Sequence, residues 1–348
     1  MEKVLLRLYK YYLTYIAAPV NRARRLPSAE KSLFIAKFDG LGDFFLLLPV
    51  LQRLRGAGWR VTVAGNPVQR EILDHCGLDV ASVPFVPESV AAVRAAMSAA
   101  REARPEYAVN LSMSAWGGIL VNQSRAPHTA GLLQEREWYV YKGTKLLYDR
   151  TVSYDPCLHG FEVTNRFVSE LLQVQPAEPR FDRPAEPGTE IAVHPYAKWL
   201  PRRWPGFEDI ISRLLAAGYR CALLGTPGEH DGSGLAARFK TTDGCRVARL
   251  DSVPGLLAEI ERCRAFLGND SGPAHYAALI GRPTFVLWGP GNYDRVRPLG
   301  RSVHVFKKEI ACRPCRQRGE TCINGVNECL RLISVEEVFE EFKKQVKP

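Results

Sequence analysis

No run in this chain of 348 residues is long and apolar enough to span a bilayer, which takes about 20 residues as a helix. Nor is there a disulfide framework, because nine cysteines are few for this length and their number is odd. Acidic residues are the scarcer charge: 37 Asp and Glu against 47 Lys and Arg leave a formal net charge of +10. A hydrophobic fraction of 46% and a charged fraction of 24% exclude a disordered chain, a collagen-like repeat and a disulfide miniprotein. The cationic excess points towards anionic partners, whether nucleotides, phosphorylated substrates, acidic membrane surfaces or nucleic acid, without choosing among them. Length alone suggests two domains.

Of the cysteines, Cys76, Cys157, Cys221, Cys245 and Cys263 are scattered and read as small core hydrophobes. This usage fits a reducing cytoplasm, which is the expected location. Residues 1–26 form a basic, tyrosine-rich segment in which Leu5, Leu6, Leu8, Tyr9, Tyr12, Leu13, Tyr15 and Ile16 make an apolar stripe. Two readings stay open for it: an interfacial helix lying on the inner-membrane surface, or a helix packed on its own domain with its cations solvated.

After Pro27 short apolar runs alternate with stretches of helical spacing, the pattern of parallel sheets flanked by helices. The N-terminal half has strands at 32–38, 59–64, 80–86 and 107–111, with helices over 44–54, 89–103 and 161–172. Pro176, Pro179, Pro184 and Pro187 then crowd one segment, which reads as a linker. The second half repeats the scheme, with strands at 191–195, 219–225, 265–268 and 284–288 and helices at 207–217, 253–263 and 274–280. The expected organisation is a segment 1–26, a domain 27–172, a linker 173–189, a domain 190–333 and a C-terminal helix 334–348. Its fold class is α/β, two Rossmann-like doubly wound domains facing across a cleft. Ligands of such sheets bind beyond the carboxyl ends of the strands.

Four segments carry candidate chemistry. In LGNDSGPAHYAALIGRPTFVLWGP (267–290) a strand ends and Asp270, Ser271 and Gly272 open a helix containing His275. Free amides and the helix dipole there suit a diphosphate, with His275 as a further donor. Taken bare, the commoner explanation is that Asp270 and Ser271 cap a helix and His275 is a satisfied buried histidine. In HPYAKWLPRRWPGFEDI (194–210) Lys198, Arg202 and Arg203 follow a strand and could neutralise a departing diphosphate, or form a solvated basic loop. In LGTPGEHD (224–231) Glu229 could accept hydrogen bonds from ribose hydroxyls, or belong to a surface turn. In FDGLGDFF (38–45) Gly40 and Gly42 do not complete G-x-G-x-x-G, since Phe45 stands at the third position, so a dinucleotide fingerprint is unsupported. Asp43 could act there as general base, or as the N-cap of the helix 44–54.

Together, GLGD, the K-x3-RRWP loop, GTPGEH and NDSGPAH…GRPTFVLWGP resemble glycosyltransferase family 9, the lipopolysaccharide heptosyltransferase family, over roughly residues 32–340. The resemblance implies a GT-B fold and inverting transfer that requires no metal or other cofactor. It places the nucleotide-sugar donor, ADP-heptose above others, on the C-terminal domain, and an anionic lipid-linked saccharide acceptor on the N-terminal one. By position Asp43 matches the family's base, and Asp270, Ser271, Gly272 and His275 its donor phosphate site. Glu229 matches the acidic residue near the ribose, and either Arg202 or Arg203 the basic residue before Trp-Pro.

Cys312, Cys315, Cys322 and Cys329 form C-x2-C-x6-C-x6-C. They could hold a structural zinc, act as a redox pair or remain free thiols in a loop, and Arg313, Arg316 and Arg318 beside them could face acceptor phosphates. The rival functions are a glycosyltransferase using another nucleotide sugar, a nucleotide-sugar epimerase or dehydrogenase, and a nucleotide-binding metal or redox sensor switched by these cysteines. An epimerase or dehydrogenase would need an intact glycine fingerprint and usually a Tyr-x3-Lys pair, and neither is present in the right context. Nucleic acid is not an expected partner, because the cations are dispersed over several loops.

Overall fold

Ser32–Ala36 (β1) carries Leu33, Phe34 and Ile35, and all five of its residues are buried. A run buried on both faces is what the middle of a parallel sheet demands. Arg60–Gly65 (β2), Ala81–Pro84 (β3), Tyr107–Asn110 (β4), His128–Gln134 (β5) and Arg150–Tyr154 (β6) complete a six-stranded sheet of order β3-β2-β1-β4-β5-β6. All its neighbours pair in parallel. This computed structural model describes residues 2–112, 114–134, 144–155, 157–183, 186–315, 321–322 and 324–348.

The second sheet repeats that topology. Glu190–His194 (β7), Arg220–Gly225 (β8), Cys245–Arg249 (β9), Ala265–Asn269 (β10), Thr284–Leu287 (β11) and Val303–Phe306 (β12) pair in parallel in the order β12-β11-β10-β7-β8-β9. Read from its other edge, the second sheet runs third, second, first, fourth, fifth, sixth, as the first sheet does. That is the doubly wound dinucleotide-fold order, with its switch point between the first and fourth strands. The expected fold class of two Rossmann-like α/β units is therefore present.

The first unit takes the residues up to Gly40 and Leu47–Ala177, and the second takes Glu178–Pro348 together with Leu41–Leu46. The chain changes units at Ala177, inside the proline-rich segment, of which Pro184 lies outside the described residues. Helix Gly160–Leu172 ends there on Gln173, in the left-handed conformation at φ 53°. The C-terminal helix Val335–Gln345 buries Val338 and Phe342 in the second unit's core beside Phe285 and Leu330. The N-terminal segment winds as Glu2–Tyr12, a π-turn at Leu13–Ala17 and Ala18–Ala23, and inserts Leu6, Leu13 and Ala18 into the first unit's core.

Three expectations change. The helix 44–54 is two helices, Leu41–Phe45 and Leu48–Gly56. Pro49 has no N–H to give Phe45 and its ring would meet that residue's carbonyl, so the first helix stops short. Asp43 is consequently not the N-cap of one long helix, but lies in the first turn of the short one. Strands β5, β6, β9 and β12 escaped the sequence pattern: the last three are edge strands, carrying Arg, Ser and His where a buried strand would be apolar. Finally, Cys76, Cys221, Cys245 and Cys263 are buried as expected of core thiols, but Cys157 is exposed.

Candidate functional site

Strands β7 and β10 flank the second sheet's switch point, and the loops leaving their carboxyl ends carry most of the candidate residues. The loop after β10 holds Asp270, Ser271 and Gly272; the loop after β7 holds Lys198, Arg202 and Arg203. Asn269, fully buried at the end of β10, joins the two loops. Its Oδ1 accepts from the Trp204 amide at 2.9 Å and its Nδ2 donates to the Pro195 carbonyl at 2.8 Å. Sequence reasoning passed over Asn269, although a polar residue at the buried end of an apolar strand is the kind of signal that marks such a clamp.

Asp270 is 4% exposed, and Arg202 Nη1 lies 3.2 Å from its Oδ2. Burial pushes the Asp270 carboxyl up to about 6; Arg202 and Arg313 pull it down, and the like charge of Asp43 adds to the rise. The approach of Gly291 is close enough that a β-carbon there would lie 2.4 Å from Asp270 Oδ2. Asp270 thus pairs with a guanidinium through charge rather than through a hydrogen bond, a different task from touching an anion itself. The other two cations take other partners. Arg203 Nε donates to the Ala197 carbonyl at 2.9 Å, and exposed Lys198 stands 5.1 Å from the centroid of the Trp199 ring.

Helix Gly272–Leu279 begins after Ser271, whose side chain makes no capping bond; its hydroxyl donates instead to the Asn269 carbonyl at 3.3 Å. The capping alternative for Ser271 is therefore not realised, and the amide end of this helix keeps its partial positive charge for a ligand. Pro273 follows at the second helical position, where a missing N–H costs nothing.

The GLGD segment packs on this helix. A β-carbon on Gly42 would come 3.0 Å from Cδ2 and 3.1 Å from Nε2 of His275. One on Gly272 would lie 2.9 Å from Cβ of Leu41. Two glycines thus let helix Leu41–Phe45 lie directly against helix Gly272–Leu279, and Phe45 meets Tyr276 with ring centroids 5.3 Å apart. That contact brings half-buried Asp43 close enough to Asp270 to act on its carboxyl, and His275 is buried at the same crossing.

Glu229 stands apart from this group, beyond the carboxyl end of β8. Thr226 and Glu229 form a capping box: Glu229 Oε2 accepts from the Thr226 amide and from its hydroxyl, both at 2.9 Å, and Thr226 Oγ1 accepts from the Glu229 amide. The turn alternative is thus real, with one carboxylate oxygen committed to it. His230, next in sequence, is buried; its Nε2 lies 2.9 Å from the Ala248 carbonyl. A carbonyl only accepts, so Nε2 carries the proton, and Nδ1 accepts from the Tyr196 hydroxyl at 2.9 Å. Tyr196 in turn fills the space beside Gly225, where a β-carbon would lie 2.4 Å from its ring. His194 is also buried, and burial pushes its imidazole down to about 4, so it is neutral at ordinary pH.

Cys312 is exposed, Cys315 and Cys322 are half-buried, and Cys329 is buried, with its thiol donating to Asn327 Oδ1 at 2.8 Å. Among the described residues no three His, Cys, Asp or Glu side chains converge as a metal would require. Arg316 and Arg318 lie outside the described residues, whereas Arg313 donates to the Lys308 carbonyl.

The Escherichia coli K12 lipopolysaccharide heptosyltransferase 2 is 30% identical over 161 residues, 43% of this chain and 45% of that protein. The chain thus matches about half the length of this relative. Among solved structures, the glycosyl transferase family 9 protein from Veillonella parvula superposes with a TM-score of 0.73 at 17% identity, covering 92% of this chain and 98% of that one. The E. coli heptosyltransferase WaaC with ADP gives 0.67, also at 17%, covering 89% and 99%. The two doubly wound units are those of a GT-B fold. The model of "Glycosyltransferase family 9 (heptosyltransferase)" matches residues 114–324, more than half of the chain, and the protein belongs to that family.

Proposed function

We propose that this protein is an inverting glycosyltransferase that transfers heptose from ADP-heptose to an anionic, lipid-linked saccharide in lipopolysaccharide core synthesis, at the cytoplasmic surface of the inner membrane. The observation that carries the reading is the packing of the GLGD helix on the Asp270–His275 segment, which brings a carboxylate beside an uncapped helix N-terminus and a held guanidinium. The heptosyltransferase relatives and the structure of WaaC with ADP support the choice of donor.

In this mechanism Asp43 accepts the proton of an acceptor hydroxyl, whose oxygen attacks the anomeric carbon from the face opposite the nucleotide. The glycosidic bond to the diphosphate breaks through an oxocarbenium-like transition state and the configuration inverts. Negative charge then gathers on the leaving diphosphate. The amide end of Gly272–Leu279 and the Arg202 guanidinium stabilise it without a metal, with Lys198, Arg203 and His275 as further donors. Asp270 is a positioning residue, fixing Arg202 so that no reorganisation is needed as charge develops. Glu229 would meet the ribose through the oxygen its capping box leaves over.

The test is calorimetric titration of the wild type and His275→Ala with ADP, UDP and GDP. Selective ADP binding that weakens in the variant is the expected result. Preference for UDP or GDP would keep the fold and discard heptose, and no binding to any of them would overturn the donor site.

A further inference from the structure

The first unit carries a groove for which the transfer chemistry has no use. It lies between the N-terminal helix and the start of helix Ala115–Gln123, has a volume of about 600 Å³, and its lining includes Lys3, Arg7, Lys10, Tyr11, Tyr15 and Trp116. Lys3, Arg7 and Lys10 recur at helical spacing, so three cations face one opening, and no acidic residue lines it. Lys10 is placed over the Trp116 ring, with Nζ 5.5 Å from its centroid. Lys3 and Arg7 take part in no ion pair among the described residues. The helix is held at this place from inside by Leu6 and Leu13, and at its start by Glu2, whose carboxylate accepts from the Val90 amide at 3.2 Å.

Beside the cations runs an apolar ridge left exposed among the described residues. Leu8, Tyr11, Val4 and Ile16 are 64%, 61%, 60% and 56% exposed, and Leu5, Tyr12, Tyr15 and Val20 are exposed with them. Leu5, Leu8, Tyr12, Ile16 and Val20 follow one another at three- and four-residue steps, which keeps them on one face. Exposed apolar side chains gathered on one short segment, rather than scattered singly, mark an interaction face. No helix among the described residues is long and apolar enough to cross a membrane. An amphipathic helix of this composition suits an interface, where aliphatic and aromatic side chains would reach the acyl boundary and cations the headgroup level.

We propose that the N-terminal segment is a membrane-docking element specific for anionic bilayers, with the Lys3–Arg7–Lys10 groove as the site of one lipid headgroup phosphate. The cations of the groove and the absence of acid from its walls commit it to an anionic lipid. A neutral surface would leave Lys3 and Arg7 desolvated without compensation. This deepens the membrane-surface part of the function proposed above and does not depend on the identity of the donor.

Flotation of the full chain with vesicles of phosphatidylcholine, alone or mixed with phosphatidylglycerol, tests it. Binding is expected to the mixed vesicles only, to fall with salt, and to weaken about a hundredfold in Lys3→Gln/Arg7→Gln/Lys10→Gln, at roughly a factor of five for each cation near the surface. Leu8→Ser/Ile16→Ser, which keeps every charge, should also release the protein. Excess inorganic phosphate should not displace it, because a free anion lacks the bilayer. Equal binding to both vesicles, unchanged binding by the triple variant, or self-association through this face in sedimentation velocity would overturn the proposal. ADP titration of the same preparations reports separately on folding and on the donor site.

Discussion

Gly42 and His275 touch across two helices that the sequence separates by most of the chain: a β-carbon on Gly42 would lie 3.0 Å from the imidazole Cδ2. This one contact ties the segment bearing Asp43 to the segment bearing Asp270. Gly42→Ala must move either the imidazole or the short helix by a few tenths of an ångström. We expect kcat/KM to fall by about tenfold or more, since misplacement of a reacting group is costly. The double variant Gly42→Ala/His275→Ala should be no worse than His275→Ala alone, because the clash is then gone. An additive loss would show that Gly42 serves some other purpose.

Arg202 and Asp270 should behave as one unit towards the donor. Arg202→Met removes the cation, and Asp270→Asn leaves it unheld, so each should weaken ADP binding. A double-mutant cycle is expected to give a coupling energy of about 1–2 kcal/mol. Full additivity would mean that Asp270 acts on the ligand independently.

The same carboxylate predicts opposed pH slopes with His194. Asp270 has a folded value of about 6, above that of an unfolded aspartate, so its contribution is present at low pH and is lost as pH rises through 6. His194 has a folded value of about 4, below that of an unfolded histidine, so its contribution is present above about 6.5 and is lost as pH falls towards 4. Over this window the two slopes partly cancel in the wild type. Denaturant unfolding from pH 4.5 to 7 should show stability rising more steeply with pH in Asp270→Asn, and falling in His194→Asn relative to wild type, each by on the order of 2–3 kcal/mol across the window. Parallel curves for all three proteins would contradict the assignment.

Glu229 has two tasks that one substitution can separate. Glutamine completes a capping box as glutamate does, whereas alanine cannot. Glu229→Ala should therefore lose about 1 kcal/mol of stability and Glu229→Gln little of it. Both should weaken ADP binding if the carboxylate meets the ribose. Unchanged binding in Glu229→Gln would leave Glu229 as a cap alone.

The apolar runs 33–35 and 191–193 and the repeated strand-helix rhythm are local, and they pointed to the α/β class and its two repeated units without any fold in view. The motifs around Asp43, Arg202, Glu229 and Asp270 were equally legible, because glycine, proline and paired charges at strand ends leave a mark in the chain itself. What those residues do to one another was not. Whether Ser271 spends its hydroxyl on the cap, which of Lys198, Arg202 and Arg203 reaches Asp270, and that Glu229 is already half engaged are matters of distance between loops far apart in sequence. The same holds for Leu41–Leu46, which follows β1 yet packs with the second unit. A sequence records the propensity of each segment to bury a face. Only the tertiary structure decides which face meets it, and here two glycines and a buried asparagine make that choice.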